Sequence, residues 1–212
     1  MIGLTAVGFP LAAAVIDILC RQTDLVSAWA AAPANLPGTG LALLITPGLA
    51  WSLHRIMRAF PFFHDIGKIN RSLVRTLKPS LWQIVGISVA AGWGEEIFFR
   101  GAVQPVLGIV TTSVIFAGLH TGFRFRVPAL RKYFALVFIL SLGLGMTAQA
   151  AGLVTAMVAH AGWDLVMLSI VYREVAALPD GADAPGGNGG EDECGGDQQS
   201  AVIEHGGDTV AE

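Results

Sequence analysis

Two adjacent carboxylates and one guanidinium stand inside an otherwise apolar run, Leu81–Val110. On a helix, Glu96 and Arg100 are four residues apart, so their side chains share a face and can form an ion pair. Glu95 lies about 100° further round the helix and points elsewhere. Each ionisable side chain in lipid costs roughly 2.5–3.5 kcal/mol on insertion scales, so a cluster of three needs a reason. We expect Arg100 to neutralise Glu96 and to leave Glu95 for chemistry.

Two later apolar segments carry further ionisable side chains. His120 lies four residues after Phe116, and His160 and Asp164 are four residues apart in the last segment, so each pair shares a helix face. Carboxylates and histidines that converge in a dry place form a general acid/base set. Small residues beside them would let the helices approach closely. These small neighbours are Gly118, Ala159, Ala161 and Gly162.

Each of these elements also has a purely structural interpretation. Glu96 and Arg100 could be a structural ion pair, which we expect to be their main role. His120 could lie at the membrane interface, and His160 with Asp164 could form an interhelical hydrogen bond. Their occurrence together favours a functional site, because ionisable residues inside a membrane are functional by default.

The sequence offers no good candidate for covalent catalysis. It contains no Gly-x-Ser-x-Gly and no His-Glu-x-x-His pattern. Its two cysteines, Cys20 and Cys194, lack metal-ligand spacing and form no disulfide framework. Activation of a water molecule is therefore favoured over a covalent intermediate.

The composition is typical of a membrane protein. Of the 212 residues, 53% are hydrophobic and 14% are charged, against about 25% charged in soluble domains. Residues 1–173 hold all 13 Lys and Arg but only 6 of the 16 Asp and Glu, a net charge of +7. Residues 174–212 hold the other 10 acids, are rich in Gly and have almost no apolar side chains. We predict that this tail is disordered, because it cannot bury enough surface to offset its ordering entropy.

The apolar segments predict an all-α, polytopic bundle of about six membrane helices. We expect a break at Pro105, a kink at Pro47-Gly48 and an antiparallel hairpin formed by the last two helices. The basic stretch 54–80 could lie in the interface as an amphipathic helix. We divide the chain into 1–80, the N-terminal helices with this basic segment; 81–173, a catalytic membrane core; and the tail, 174–212. The predicted spans are Ile2–Cys20, Gly38–Leu53, Leu81–Gln104, Val106–His120, Tyr133–Thr147 and Ala151–Tyr172.

The distribution of basic residues predicts the orientation. If both termini are cytoplasmic, the loops 54–80 and 121–132 and Arg173 place 11 of the 13 Lys and Arg on the inside. We therefore expect a multi-pass protein of a bacterial inner membrane. Its partners would be the lipid bilayer and a peptide or protein substrate in or at the membrane, and we expect no nucleic acid. The sequence does not indicate the oligomeric state.

Three motifs in this order resemble those of the CAAX protease and bacteriocin-processing family, also called the Abi family. The family pattern is Glu-Glu-x-x-x-Arg, then Phe-x-x-x-His, then His-x-x-x-Asn or Asp. The chain has Glu95-Glu96-Ile-Phe-Phe-Arg100, Phe116-Ala-Gly-Leu-His120 and His160-Ala-Gly-Trp-Asp164. The resemblance covers about residues 81–172.

The resemblance implies an intramembrane endopeptidase of the glutamate type, acting on a membrane-associated peptide that is prenylated or bacteriocin-like. Carried over by motif position, Glu95 and His120 activate the attacking water, and His160 with residue 164 forms the oxyanion hole. Glu96, Arg100 and Phe116 are supporting. The prenyl endopeptidases have Asn where this chain has Asp164. Because an ionised Asp cannot donate to an oxyanion, Asp164 is expected either to be protonated or to orient His160 as an acceptor.

Alternative functions stay open on the sequence alone. The first is a metal-dependent peptidase, although we expect no cofactor. The second is a non-catalytic membrane protein that binds a peptide or confers immunity; a transporter is less favoured, because we find no internal repeat. The residues that could ligate zinc in the first alternative are Glu95, Glu96, His120, His160 and Asp164.

Overall fold

The computed structural model describes residues 7–20 and 35–178, and every secondary-structure element in these two ranges is a helix. A single 3-10 turn, Pro61–Phe63, precedes α3, and a π-helical stretch, Ile97–Val103, joins α4 to α5. The predicted all-α fold is confirmed. The α-helices are α1 Phe9–Cys20, α2 Leu36–Ala59, α3 His64–Leu77, α4 Leu81–Glu96, α5 Gln104–Thr121, α6 Pro128–Ala151 and α7 Leu153–Ala177.

Four helical stretches in the described part of the chain are long and apolar enough to cross a membrane. They are α2, the continuous run Leu81–Thr121, α6 and α7. Large apolar side chains point outward, with Trp82 86% and Leu44 79% exposed, as lipid-facing residues require. The protein is therefore a multi-pass membrane protein. The first predicted span corresponds to α1, which has 12 residues, and the third and fourth both lie within Leu81–Thr121.

The run Leu81–Thr121 folds back on itself at Gly108. The ring centroids of Phe99 and Phe116 are 4.9 Å apart, whereas a straight helix would separate these residues by about 25 Å. Gly108 has φ 77° and ψ 167°, a conformation that a residue without Cβ adopts at little cost. The reversal lies three residues after the predicted break, because Pro105 occupies the first turn of α5, where a missing N–H is tolerated.

The helix α2 is longer than predicted and is not interrupted at Pro47. It begins after Asn35, whose side chain accepts a hydrogen bond from the Gly38 N–H at 3.0 Å. Pro47 lies inside this 24-residue helix, which is tolerated in membrane helices because neighbouring groups can satisfy the freed backbone. The segment is therefore continuous through Pro47, and the kink predicted at Pro47-Gly48 stays a prediction.

The predicted hairpin of the last two segments is confirmed. Gly152, with φ 93°, is the one residue between α6 and α7, and the two helices pack together. The helix α7 continues to Ala177, five residues beyond the predicted end, and its Glu174 makes the ion pairs described below. The predicted tail therefore begins with helical residues. Residues 179–212, for which disorder was predicted, lie outside the described residues, and the division into three parts stays a prediction.

The helix α7 is central to the described bundle, where it packs against α2, α3, α4 and α6. The absence of a side chain at Gly92 lets α7 approach α4 closely. A Cβ atom on Gly92 would lie 2.6 Å from the Met157 carbonyl oxygen and 2.8 Å from the Ala161 Cβ. Of the small residues predicted to allow close approach, Ala161 therefore contacts another helix. Gly118 instead lies beneath the Phe123 ring, and a Cβ on Gly162 would meet nothing within 4 Å.

The segments predicted to lie on the inside meet at one end of the bundle. Lys132 at the start of α6 binds Asp65 of α3 at 3.1 Å. Glu174 of α7 contacts His54 at 3.1 Å and Arg58 at 3.4 Å, both near the end of α2. These contacts place the basic segments 54–80 and 121–132 on the same side of the bundle.

We predict that Gly92→Ala lowers the stability of the protein by about 1–3 kcal/mol, because the added methyl forces α4 away from α7. Thermal unfolding in detergent, followed by circular dichroism, would measure the change. Gly143→Ala is the matched control, since a Cβ there would meet nothing within 4 Å. Equal unfolding temperatures for the two variants would contradict this account of the helix contact.

Candidate active site

The fold brings all the ionisable residues of the three motifs to one place. Glu95 and Glu96 end α4, Arg100 follows in the π-helical stretch, and His120 lies in the last turn of α5. His160 and Asp164 face them from the middle of α7. The cluster divides into a buried group around Glu96 and a more accessible group around Glu95.

Glu96 is the centre of the buried group. It is 0% exposed, its Oε2 lies 3.2 Å from Arg100 Nε, and its Oε1 lies 2.8 Å from His160 Nδ1. The contact with Arg100 agrees with the expected i, i+4 pair, although the Nε–H is not aligned for a hydrogen bond. The contact with His160 joins α4 to α7 and was not predicted.

The Arg100 guanidinium is held from three sides. Its Nη2 donates to the Ser141 hydroxyl at 2.9 Å and to the Ser141 carbonyl oxygen at 3.2 Å. Its Cζ lies 4.7 Å from the centroid of the Phe116 ring, within the range of a cation–π contact. With the Glu96 carboxylate, these contacts surround a side chain that is buried in an apolar bundle.

Both ring nitrogens of His160 face carboxylates. Nδ1 makes the hydrogen bond with Glu96, and Nε2 lies 3.6 Å from Asp164 Oδ2. The second distance is beyond a hydrogen bond, so an N–H at Nε2 could be shared with a substrate oxygen. The side chain of Asp164 is 29% exposed, whereas that of His160 is 8% exposed.

Glu95 and His120 form the accessible group. Glu95 Oε2 lies 3.9 Å from His120 Nε2 and has no hydrogen-bond partner in the described structure. Nδ1 of His120 lies 2.9 Å from the Phe116 carbonyl oxygen, and because a carbonyl only accepts, Nδ1 carries the proton. In the neutral ring Nε2 is then the acceptor, and it faces the carboxylate.

Phe116 links the two groups. Its ring stacks on the His120 ring at 4.3 Å between centroids and meets the His160 ring edge-on at 6.0 Å. It is also the ring beneath the Arg100 guanidinium. The residue predicted to be supporting therefore packs simultaneously against both histidines and the cation.

The metal-dependent alternative needs a group of side chains that can bind zinc. Zinc needs at least three protein ligands with free donor atoms, and the described residues contain no group of three His, Cys, Asp or Glu arranged to hold a metal. His160 Nδ1 is taken by Glu96 and His120 Nδ1 by a carbonyl oxygen, so Nε2 is the ring nitrogen of each histidine that faces the site.

Several residues that build the site escaped sequence reasoning. Gln104 donates to the Gly145 carbonyl oxygen at 3.1 Å, one turn away from the Arg100–Ser141 contact, so two polar contacts bind the π-helical stretch and the start of α5 to α6. The available signal was Gln104, four residues after Arg100, together with a lone polar Ser141 in a later apolar segment. Tyr133 packs against the Phe99–Phe116 cluster, and no motif indicated it.

Part of the sequence matches a known protein family. Residues 77–166 match the model of the family described as type II CAAX prenyl endopeptidase, Rce1-like. The matched segment contains all three motifs. The resemblance predicted from the motifs is confirmed, and the match indicates a membrane peptidase, that is, a hydrolase.

Among curated proteins, the chain is similar to the uncharacterized protein YpbD of Bacillus subtilis. The two are 29% identical over 154 residues, which are 72% of this chain and 77% of YpbD. No solved structure matches the chain at a significant level.

We predict that Ser141→Ala destabilises the protein by about 1–3 kcal/mol, because a buried charged donor loses its hydroxyl partner. Thr147→Ala is the control on the same helix, since the Thr147 hydroxyl is exposed and donates only to the Gly143 carbonyl oxygen. Thermal unfolding of both variants in detergent would measure the difference. If both variants unfold like the unmodified protein, the Ser141 hydroxyl contributes nothing to the stability of the site.

Proposed function

We propose that this protein is an intramembrane endopeptidase in which Glu95 and His120 activate the attacking water. The observation that carries the proposal is the 3.9 Å separation between Glu95 Oε2 and His120 Nε2. This distance is too long for a direct hydrogen bond and suits two acceptors that share one water molecule. The water would donate one hydrogen to the carboxylate and the other to the imidazole.

In the proposed reaction, Glu95 is the general base. It takes a proton from the water as the oxygen attacks the scissile carbonyl, and the proton then passes to the leaving amine. General base catalysis of this kind contributes about 10²–10⁴-fold to a rate. The side chains of Glu95 and His120 are 15% and 35% exposed, more than those of Glu96 and His160, although Glu95 Oε2 itself is buried.

His160 is proposed to stabilise the oxyanion, and Asp164 to orient His160. When protonated, His160 donates from Nδ1 to Glu96 and presents an N–H at Nε2, 3.6 Å from Asp164. A substrate oxygen placed near Nε2 would receive this hydrogen bond as negative charge develops. Asp164 then acts as an acceptor beside the ring, one of the two roles considered from the sequence. Glu96, Arg100 and Phe116 are proposed to hold His160 and His120 in place.

The proposed substrate is a peptide or protein segment in or at the membrane, prenylated or bacteriocin-like, and no cofactor is invoked. We place the protein in a bacterial inner membrane with both termini cytoplasmic, on the positive-inside rule. The meeting of the basic segments 54–80 and 121–132 at one end of the bundle supports a shared side for these loops. We propose no nucleic-acid partner.

We expect Glu95→Gln to lower peptide cleavage by about 10²–10⁴-fold, because an amide cannot accept the proton of the water. Purified protein in detergent would be incubated with quenched fluorescent peptides, some with a lipidated cysteine. Asp65→Asn is the control, since it makes the same carboxylate-to-amide change outside the site. Cleavage that persists in Glu95→Gln at the unmodified rate would exclude Glu95 as the base.

The same assay with a chelator tests the metal-dependent alternative. We expect the rate to be unchanged by the chelator, because the reaction proposed uses protein side chains alone. Loss of activity with chelator and recovery with added Zn²⁺ would replace this mechanism with the metal-dependent one. If Glu95→Ala and His120→Ala both retain the biological activity of the protein in cells, the non-catalytic binding alternative is correct.

Labelling of single cysteines would test the orientation. In a protein with Cys20 and Cys194 replaced by Ser, we expect Leu107→Cys to react with a membrane-impermeant maleimide from the periplasm, and Arg124→Cys to react only after the inner membrane is permeabilised. The reason is the concentration of basic residues in the loops on the Arg124 side. The reverse pattern would invert the proposed topology.

A further inference from the structure

A cavity of about 310 Å³ lies away from the candidate active site, between the ends of α2 and α7 and the helix α3. Its lining includes three Arg or Lys and one Glu, a formal net charge of +2 when its two histidines are neutral. The charged and titratable residues of the lining are His54, Arg58, His64, Lys68, Arg71 and Glu174.

Two of the three cations of the lining, Lys68 and Arg71, lie on α3. Glu174 is engaged by His54 and Arg58 on the α2 side, so it offsets charge there. Lys68 is exposed and makes no ion pair with any described residue. A Cβ on Gly67 would lie 3.2 Å from Arg71 Nη1, so the small residue leaves space for the guanidinium to lie along α3 at the cavity.

The cavity is at the level where the apolar helices end. His54 and Arg58 are in the last turns of α2, and Glu174 is in the last turn of α7. The helix α3 beside it carries exposed Leu73 and Leu77 together with its basic residues, as expected of a helix lying in the membrane interface. Lipid phosphates occupy this level of a bilayer.

We propose that this cavity binds a phosphate group, that of an anionic phospholipid head group. Arg presents a planar fork of donors to phosphate oxygens, and Lys adds a compact positive charge. Basic pockets between membrane helices are suited to anionic head groups. Free phosphate presents the same oxygen atoms as a lipid head group, so both could bind here. The position of the cavity beside exposed apolar side chains favours the lipid. The proposal is independent of peptidase activity.

The test is retention of lipid by the full-length protein in native mass spectrometry. The probes are phosphatidylglycerol and phosphatidylcholine with the same acyl chains, and inorganic phosphate as competitor. We expect the unmodified protein to prefer phosphatidylglycerol, and Lys68→Gln with Arg71→Gln to reduce that preference by about thirtyfold, about fivefold for each charge removed. Displacement of the lipid by inorganic phosphate would assign the site to free phosphate as well; no displacement would assign it to the lipid alone.

Arg124→Gln with Arg126→Gln is the matched control, because it removes the same charge from an exposed loop outside the cavity. Size-exclusion chromatography and thermal unfolding would establish that both double variants are folded. An equal loss of preference in the two variants would show that the attraction is diffuse charge, and an unchanged preference in Lys68→Gln with Arg71→Gln would overturn the site. Absence of both lipid preference and phosphate binding in the unmodified protein would also overturn it.

Discussion

The cost of burying Glu96 and Arg100 determines most of the structure around the site. Two fully buried charges are costly unless they are paired and hydrogen-bonded, and removal of one partner leaves an uncompensated charge that costs about 3–5 kcal/mol. The partners come from different elements: Phe116 from α5, Ser141 from α6 and His160 from α7. The ion pair therefore connects four helices, because no single helix supplies all of its partners.

This buried network gives two neighbouring carboxylates opposite environments. Glu95 and Glu96 are adjacent in sequence, but the rotation of about 100° per residue directs one to the interior and the other to the accessible side. Glu96 is fixed by a cation and an imidazole, while Glu95 Oε2 has no hydrogen-bond partner among the described residues. Glu96 and its partners thus form a fixed layer beneath Glu95, whose carboxylate stays available for chemistry. Preorganised active sites require such support.

The sequence predicted the contacts that local helix geometry determines. The pairs Glu96–Arg100 and His160–Asp164 follow from i, i+4 spacing, and periodic apolar segments identified most helices. Contacts between helices did not follow in this way: the Glu96–His160 hydrogen bond and the Arg100–Ser141 contact depend on how α4, α6 and α7 pack. The reversal was assigned to Pro105 because proline is the stronger breaker in isolation, whereas Gly108 supplies the backbone conformation that the turn uses. The roles of the site residues remain predictions.

The reversal at Gly108 also determines how far α5 extends. From Ile109 to Thr121 the helix rises only about 20 Å, less than the roughly 30 Å of the hydrocarbon layer. The turn that follows satisfies several of its own polar groups. The Phe123 N–H donates to the Gly118 carbonyl oxygen at 3.0 Å, and the Thr121 hydroxyl donates to the Ala117 carbonyl oxygen at 3.0 Å. Such a turn can lie below the membrane surface, or the bilayer can thin around it. In both cases the hydrocarbon layer beside α5 is thinner than along a full-length span, so water has a shorter path to the depth of the site.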